Sequence, residues 1–250
     1  RPQLVGEPYR LKAENRDIML VIDISPSMLQ PDLSRTQRID RLTAVKAVVG
    51  SFVQKRTEDR LGLILFGTRA YVQSPLTFDK NAVAEILNNA DAGMAGNSTS
   101  IGDALGLALK NLRKEKEKNN KVIILLTDGE NNDGSLSMAQ AIGLAEKEGI
   151  KIYTVGVGSD RNFLGSLFGL GNGELDEKSL KELAQKTKGN YFRATDVNSL
   201  AEIYTKIDQL EPAKSEGNIV QEKKDLFYIP LTFALILALF LLFLPGRYLK

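Results

Sequence analysis

No histidine and no cysteine occurs anywhere in these 250 residues, and tryptophan is missing as well. Without imidazole or thiol there is no Ser-His-Asp or Cys-His nucleophile. Zinc sites of the usual ligands, iron–sulfur clusters and disulfides are excluded on the same ground. A chain without thiols is indifferent to redox state, so cysteine usage does not place it in a compartment. Charge of one sign is lacking too. Lys and Arg number 33 against 31 Asp and Glu, and a net charge of +2 gives no basic field for nucleic acid. Any metal bound here must be held by oxygen, which favours magnesium, manganese or calcium.

Long uncharged runs are also absent, with one exception. From Leu226 to Gly246 the sequence LFYIPLTFALILALFLLFLPG carries no charge. As a helix rising ~1.5 Å per residue it would reach roughly 31 Å, the thickness of a hydrocarbon core. Residues 226–246 therefore predict a transmembrane helix, followed by the basic tail 247–250. Lys223 and Lys224 before the run balance Arg247 and Lys250 after it, so the positive-inside rule does not orient the span. At the other end, residues 1–16 lack an initiator Met and read as the lead-in of a trimmed or processed chain.

Between these ends, apolar runs and amphipathic stretches alternate. Strands are predicted at Ile18–Ile22, Leu61–Phe66, Ala70–Gln73, Val122–Leu126, Ile150–Val157 and Tyr191–Arg193. Helices are predicted at about Leu42–Lys55, Asn81–Asn88, Ile101–Lys114, Leu136–Glu148, Glu177–Lys186 and Val197–Leu210. Only Gly67-Thr68-Arg69 joins the second strand to the third, too few residues for a crossover, so that pair must be antiparallel. The other strands are apolar at consecutive positions, as strands covered on both faces are. The expected fold is α/β over residues 17–210: doubly wound, a mostly parallel open sheet with one antiparallel edge strand. Residues 211–225 are polar and read as a linker.

Chemistry in such a sheet sits at the carboxyl ends of its strands. There VIDISPSM delivers Asp23, Ser25 and Ser27, and IILLTDGE delivers Asp128. Alternate residues of an extended chain point the same way, so Asp23, Ser25 and Ser27 can face one point. Two acids ending apolar strands repel each other unless a cation sits between them. Hydroxyls are neutral oxygen ligands, so few acids and several alcohols leave a divalent cation electrophilic and open to an outside carboxylate. The turn Gly96–Gly102, ahead of a helix, adds Thr99. Its hydroxyls have a plainer use, capping that helix.

D-x-S-x-S after the first strand, the Thr of T-S-I-G-D-A-L and the Asp of L-L-T-D-G resemble the metal-ion-dependent adhesion site of von Willebrand factor type A domains. The likeness runs from about Asp17 to Leu210. It implies the family's fold and, as metal ligands, Asp23, Ser25, Ser27, Thr99 and Asp128, some through water. Pro26 departs from the family, where Gly is commoner, and stiffens the loop. The lead-in R-P-Q-L-V-G-E-P, the blocks D-R-L-G-L-I-L-F-G and T-D-G-E-N-N, and the apolar carboxyl-terminal run are similar to membrane-anchored bacterial aerotolerance proteins of the BatA type. That likeness implies work alongside a MoxR-type AAA+ ATPase and other Bat-type membrane proteins of the family. It also implies Mg2+ (or Mn2+ or Ca2+) as cofactor, and a protein partner offering Asp or Glu to the metal. No catalysis is expected. In adhesion domains of the family the last helix can shift with the metal, and here it leads toward the apolar run.

Other readings fit less well. A Mg-dependent phosphatase of the haloacid-dehalogenase type needs a second acid where Ser25 stands. The run Asp128–Gly134 puts Asp133 where a calcium loop needs Gly and Ala139 where it needs Glu. A structural membrane subunit whose metal only braces loops is the remaining alternative. The glycine-rich stretch RNFLGSLFGLGNGE places Phe163, Leu164, Leu167 and Phe168 after a strand end, so they are expected to flank the metal on a partner- or membrane-facing surface, the plainer use being local packing over a helix end.

Overall fold

A computed structural model of the chain describes residues 3–5, 9–10, 16–34, 38–115, 120–129, 131–159, 176–212, 219–220 and 223–243. In chain order the strands are β1 (Gln3–Val5), β2 (Tyr9–Arg10), β3 (Arg16–Asp23), β4 (Arg60–Phe66), β5 (Ala70–Thr77), β6 (Asn120–Thr127), β7 (Lys151–Val157), β8 (Tyr191–Ala194), β9 (Ile219–Val220) and β10 (Lys223–Asp225). The helices are α1 (Arg41–Lys55), α2 (Lys80–Asn88), α3 (Ile101–Lys114), α4 (Met138–Glu148), α5 (Glu177–Lys186), α6 (Val197–Leu210) and α7 (Tyr228–Phe243). They fall into two compact units, one holding β3–β8 with α1–α6, the other β1, β2, β9, β10 and α7.

In the larger unit the strands run β5-β4-β3-β6-β7-β8, all parallel except β5, which pairs antiparallel with β4. Side-chain alternation along β3 explains the layering. Ile18, Leu20 and Ile22 join one buried cluster with α1, α2 and α6, while Met19 and Val21 join another with α3, α4 and α5. Both faces are covered, which is why β3 reads as an unbroken apolar run. The edge strand β5 extends past the predicted Gln73 to Thr77 with irregular register and Pro75 inside it. Proline is tolerated there because an edge strand leaves one row of N–H groups unpaired. Local chemistry sets the helix starts: Asp40, Asp79 and Asp176 cap α1, α2 and α5, and capping boxes at Ser137/Gln140 and Asp196/Ser199 open α4 and α6.

The ends differ from expectation. Lead-in and linker pair with each other: β1 is antiparallel to β10, and β2 to β9. Pairings two or three residues long across more than 200 positions leave no periodic signature. Glu211, read as the first linker residue, is buried in the larger unit. The terminal helix is shorter than the expected span within the described residues. Among the described residues no helix is long and apolar enough to cross a membrane. Instead of the expected span over 226–246, α7 has 16 residues, roughly 24 Å at ~1.5 Å each. Residues 244–250, including the basic tail, lie outside the described residues.

Candidate metal centre

Strands β3 and β6 are neighbours in register, Ile22 opposite Leu126, so Asp23 and Asp128 emerge side by side at the carboxyl edge. Asp23 is held on both oxygens. Oδ1 accepts the Ser25 N–H at 2.8 Å, and Oδ2 accepts the buried Thr127 hydroxyl at 2.7 Å. Pro26 opens a short 3-10 turn, Pro26–Leu29, whose first position suits a residue without an N–H. The turn curls the two serines together: their Oγ atoms lie 2.8 Å apart, and Ser27 Oγ donates to Asp128 Oδ1 at 2.8 Å. A continuous hydrogen-bonded chain thus joins Asp23, Ser25, Ser27 and Asp128. Ser27 is half-buried and the other three are buried, so the group opens outward at Ser27.

Thr99 arrives from the far side. A Cβ on Gly129 would lie 3.7 Å from Thr99 Oγ1, which puts that hydroxyl beside the residue after Asp128. Its backbone is pinned in both directions by Asn132: Thr99 N–H donates to Asn132 Oδ1 at 2.8 Å, and Asn132 N–H donates to the Thr99 carbonyl at 3.1 Å. The plain alternative, hydroxyls of this turn capping α3, does not occur at its N-cap, Ser100, which makes no side-chain cap. Asn131 Oδ1 takes the Gly102 N–H at 3.0 Å instead, and Ser100 Oγ donates to the Thr68 carbonyl at 2.9 Å. Asp103 in turn accepts the N–H groups of Ser135 and Leu136 at 2.9 and 2.8 Å. Two loops distant in sequence are thereby laced together, and Thr99 is delivered beside Gly129, the residue after Asp128.

One participant carries no sequence signal. Arg41, buried at the start of α1, donates from Nη1 to Asp128 Oδ2 at 2.7 Å. Its Nε and Nη2 reach both oxygens of Asp32 at 2.8 and 2.5 Å, and Nη2 also reaches Gln30 Oε1 at 3.0 Å. A single arginine at a helix start belongs to no motif, and neither Asp32 nor Gln30 stands out in its loop. The expected flanking residues Phe163, Leu164, Leu167 and Phe168 lie outside the described residues.

Two carboxylates and three hydroxyls form an all-oxygen donor set suited to a hard divalent cation. Among the described residues no group of three or more His, Cys, Asp and Glu is placed to hold a metal ion. A cation here would therefore rest largely on alcohols. Electrostatics favour its presence. Burial pushes the Asp23 carboxyl up to about 7, with the charge of Asp128 adding to the effect and hydrogen bonds from Ser25 and Thr127 opposing it. Burial raises Asp128 as well, against the opposing charge and hydrogen bond of Arg41.

A pH dependence follows. The ordinary value for Asp23 is 3.8, so between about 4 and about 7 the folded chain holds a proton that the unfolded chain has lost. Stability in a chelator should fall by a few kcal/mol as pH rises through that window, then level off. Thermal melts in EDTA from pH 4.5 to 8 read this directly, and Asp23→Asn should flatten the slope. Melting temperatures that climb across the window would contradict it.

The von Willebrand factor type A domain model matches residues 17–206. BatB from Bacteroides thetaiotaomicron is 27% identical, with a TM-score of 0.62 over 79% of this chain and 99% of that one. An aerotolerance-related membrane protein from Bacteroides fragilis is 26% identical, with a TM-score of 0.61 over 77% of this chain and 98% of that one. Proximal thread matrix protein 1 of the mussel byssus, solved with a zinc-occupied MIDAS motif, shares the fold at 24% identity. Its TM-score is 0.60, over 84% of this chain and 48% of that one. The chain spans about three fifths of the length of the mycobacterial relatives it matches, at 25–26% identity. With the family's fold in place and its model matched across the whole sheet, this chain belongs to the von Willebrand factor type A domain family and is similar to Bat-type aerotolerance proteins.

Proposed function

We propose that this chain is a binding module, not a catalyst, which captures an acidic side chain of a protein partner through a divalent cation. Asp23, Ser25, Ser27, Thr99 and Asp128 would hold that cation, Mg2+ or Mn2+ or Ca2+. When bound, it supplies an electrophilic centre for one outside carboxylate oxygen. The observation that carries the reading is the hydrogen-bonded chain from Asp23 through Ser25 and Ser27 to Asp128, open to solvent at Ser27. One metal–carboxylate bond cannot select a partner, so neighbouring surface must. Leu29, closing the turn after Ser27, and Met94 are 57% and 65% exposed. The loop of Met94 is tied to β3 through Gly93 N–H to the Ile24 carbonyl at 2.7 Å.

A purely bracing role for the metal is disfavoured by the loops themselves. Asn131, Asn132 and Asp103 already lace them by direct hydrogen bonds. Membrane attachment belongs to the same proposal: residues 226–246 anchor the module. Leu231, Phe233, Leu235, Ile236 and Leu237 of α7 are all exposed, an apolar surface that water does not favour. The likeness to Bat-type proteins supports work beside a MoxR-type AAA+ ATPase and other Bat-type membrane proteins.

Calorimetry of the full chain with Mg2+ and Mn2+ tests the centre. Wild type should bind at sub-millimolar concentrations. Ser25→Ala with Ser27→Ala should weaken binding at least about 100-fold and abolish the metal-induced rise in melting temperature, while the melting temperature in chelator falls only by the loss of two hydroxyl hydrogen bonds. No heat from either ion at millimolar concentration defeats the proposal.

A further inference from the structure

The guanidinium on Asp128 is what the proposed centre does not need in order to coordinate a cation, and it is built with care. Arg41 is buried, and its fork spans two carboxylates at once: Nη1 on Asp128, Nε and Nη2 on Asp32. Lysine, a point charge, cannot make that span. Asp32 is oriented in turn by the Ser159 N–H at 3.1 Å, just beyond β7. Gly158 has φ +149 and no Cβ, and a Cβ there would sit 3.2 Å from Arg41 Nη2. The backbone thus closes over the guanidinium at a position where a side chain would press on it. Asp128 consequently divides its oxygens, Oδ1 to Ser27 and Oδ2 to Arg41.

We infer that Arg41 is the resident counter-cation of this centre, competing with a bound metal for Asp128 and thereby trading metal affinity for affinity toward an outside carboxylate. The inference rests on the metal-binding reading proposed above. Charge arithmetic gives its direction. Asp23, Asp128 and Asp32 with Arg41 leave a net charge of −2 when ionised, which a divalent cation brings to zero. Without Arg41 the loaded centre is negative, holds its metal harder and repels a partner's acid. Without the Asp32 charge it is positive, holds metal less and attracts an acid more. A residue that only supported the fold would shift both affinities the same way.

The test uses the full chain as wild type, Arg41→Gln and Asp32→Asn, with Mn2+ as the metal and acetate as the carboxylate. Free Mn2+ is read by electron paramagnetic resonance. Acetate binding to the loaded protein is read as lost water-proton relaxation. Arg41→Gln should bind Mn2+ on the order of tenfold more tightly and acetate more weakly, and Asp32→Asn should do the reverse by a similar factor. Metal affinity unchanged or lowered in Arg41→Gln, or unchanged or raised in Asp32→Asn, overturns the inference while the metal reading stands. The same holds if metal and acetate affinities move together. A wild-type chain that takes up no Mn2+ sinks the metal reading, and this inference falls with it. Should Arg41→Gln not fold in chelator, Asp32→Asn decides alone.

Discussion

Gly102→Ala is expected to destabilise the larger unit by about 3 kcal/mol or more and to abolish metal binding. Gly102 lies in the first turn of α3. A Cβ there would fall 1.8 Å from the Leu136 carbonyl oxygen and 2.8 Å from its carbon. The obstacle is backbone, which cannot rotate away as a side-chain tip does. Helix propensity pulls the other way, since Ala exceeds Gly by about 1 kcal/mol in a helix interior, but that gain is smaller than the clash. Relief requires the loop from Asp128 to Leu136 to lift off α3. Lifting it breaks the Asn132 bond that holds Thr99 beside Gly129 and the Asn131 bond to Gly102. Gly50→Ala is the control. It sits inside α1 with nothing within 4 Å of its missing Cβ, and should be neutral or stabilising by up to about 1 kcal/mol. Urea midpoints compare the two. A Gly102→Ala midpoint within error of wild type would refute the packing argument.

Glu211→Ala is expected to cost about 3–5 kcal/mol, the range for removing one partner of a buried ion pair. The Glu211 side chain lies just past the end of α6. It meets Arg16 Nε at 3.6 Å, the Tyr153 hydroxyl at 2.9 Å and Lys151 Nζ at 2.5 Å, while Arg56 Nη1 donates to its backbone carbonyl. Arg16 is buried, and its Nε and Nη1 make no hydrogen bond. Among the described residues Glu211 is the ion-pair partner that offsets the Arg16 charge, and without it that offset is lost. Lys151→Ala removes a partner of the same carboxylate whose side chain is 38% exposed, and should cost under about 1 kcal/mol. Denaturant unfolding of both variants should separate them by several-fold in free energy. Equal costs would mean that burial of Arg16 is not what makes Glu211 matter. The same contact fastens the carboxyl end of α6 to β3 and β7, so movement of that helix relative to the sheet would have to break it.

Much of this was legible from local pattern. Strand runs such as Val122–Leu126 are apolar at every position because both faces of a parallel sheet are covered, and that requirement is written residue by residue. Asp23 and Asp128 announce themselves as acids ending such runs, and Ser25 and Ser27 follow at the spacing that shares a direction. In the carboxyl-terminal run composition implies a span-length helix over 21 uncharged residues, of which α7 covers 16 within the described residues. Arg41, Asp32, Arg16 and Glu211 were illegible because an ionic contact depends on where two side chains end up. Such contacts have no period. The short pairings of β1 with β10 and β2 with β9 were illegible for the same reason.

By itself, then, the order of residues determined the elements, the sheet's handed-over edge of acids and alcohols, and the kind of ion that edge suits. Each follows from repeat spacing or donor chemistry within a few neighbouring positions. Only the folded arrangement decided which group faces which: a guanidinium on Asp128, Asn132 holding Thr99, a glutamate over a sealed arginine. Coulomb energy and desolvation act through space at distances of a few ångströms, and no stretch of linear sequence encodes those distances.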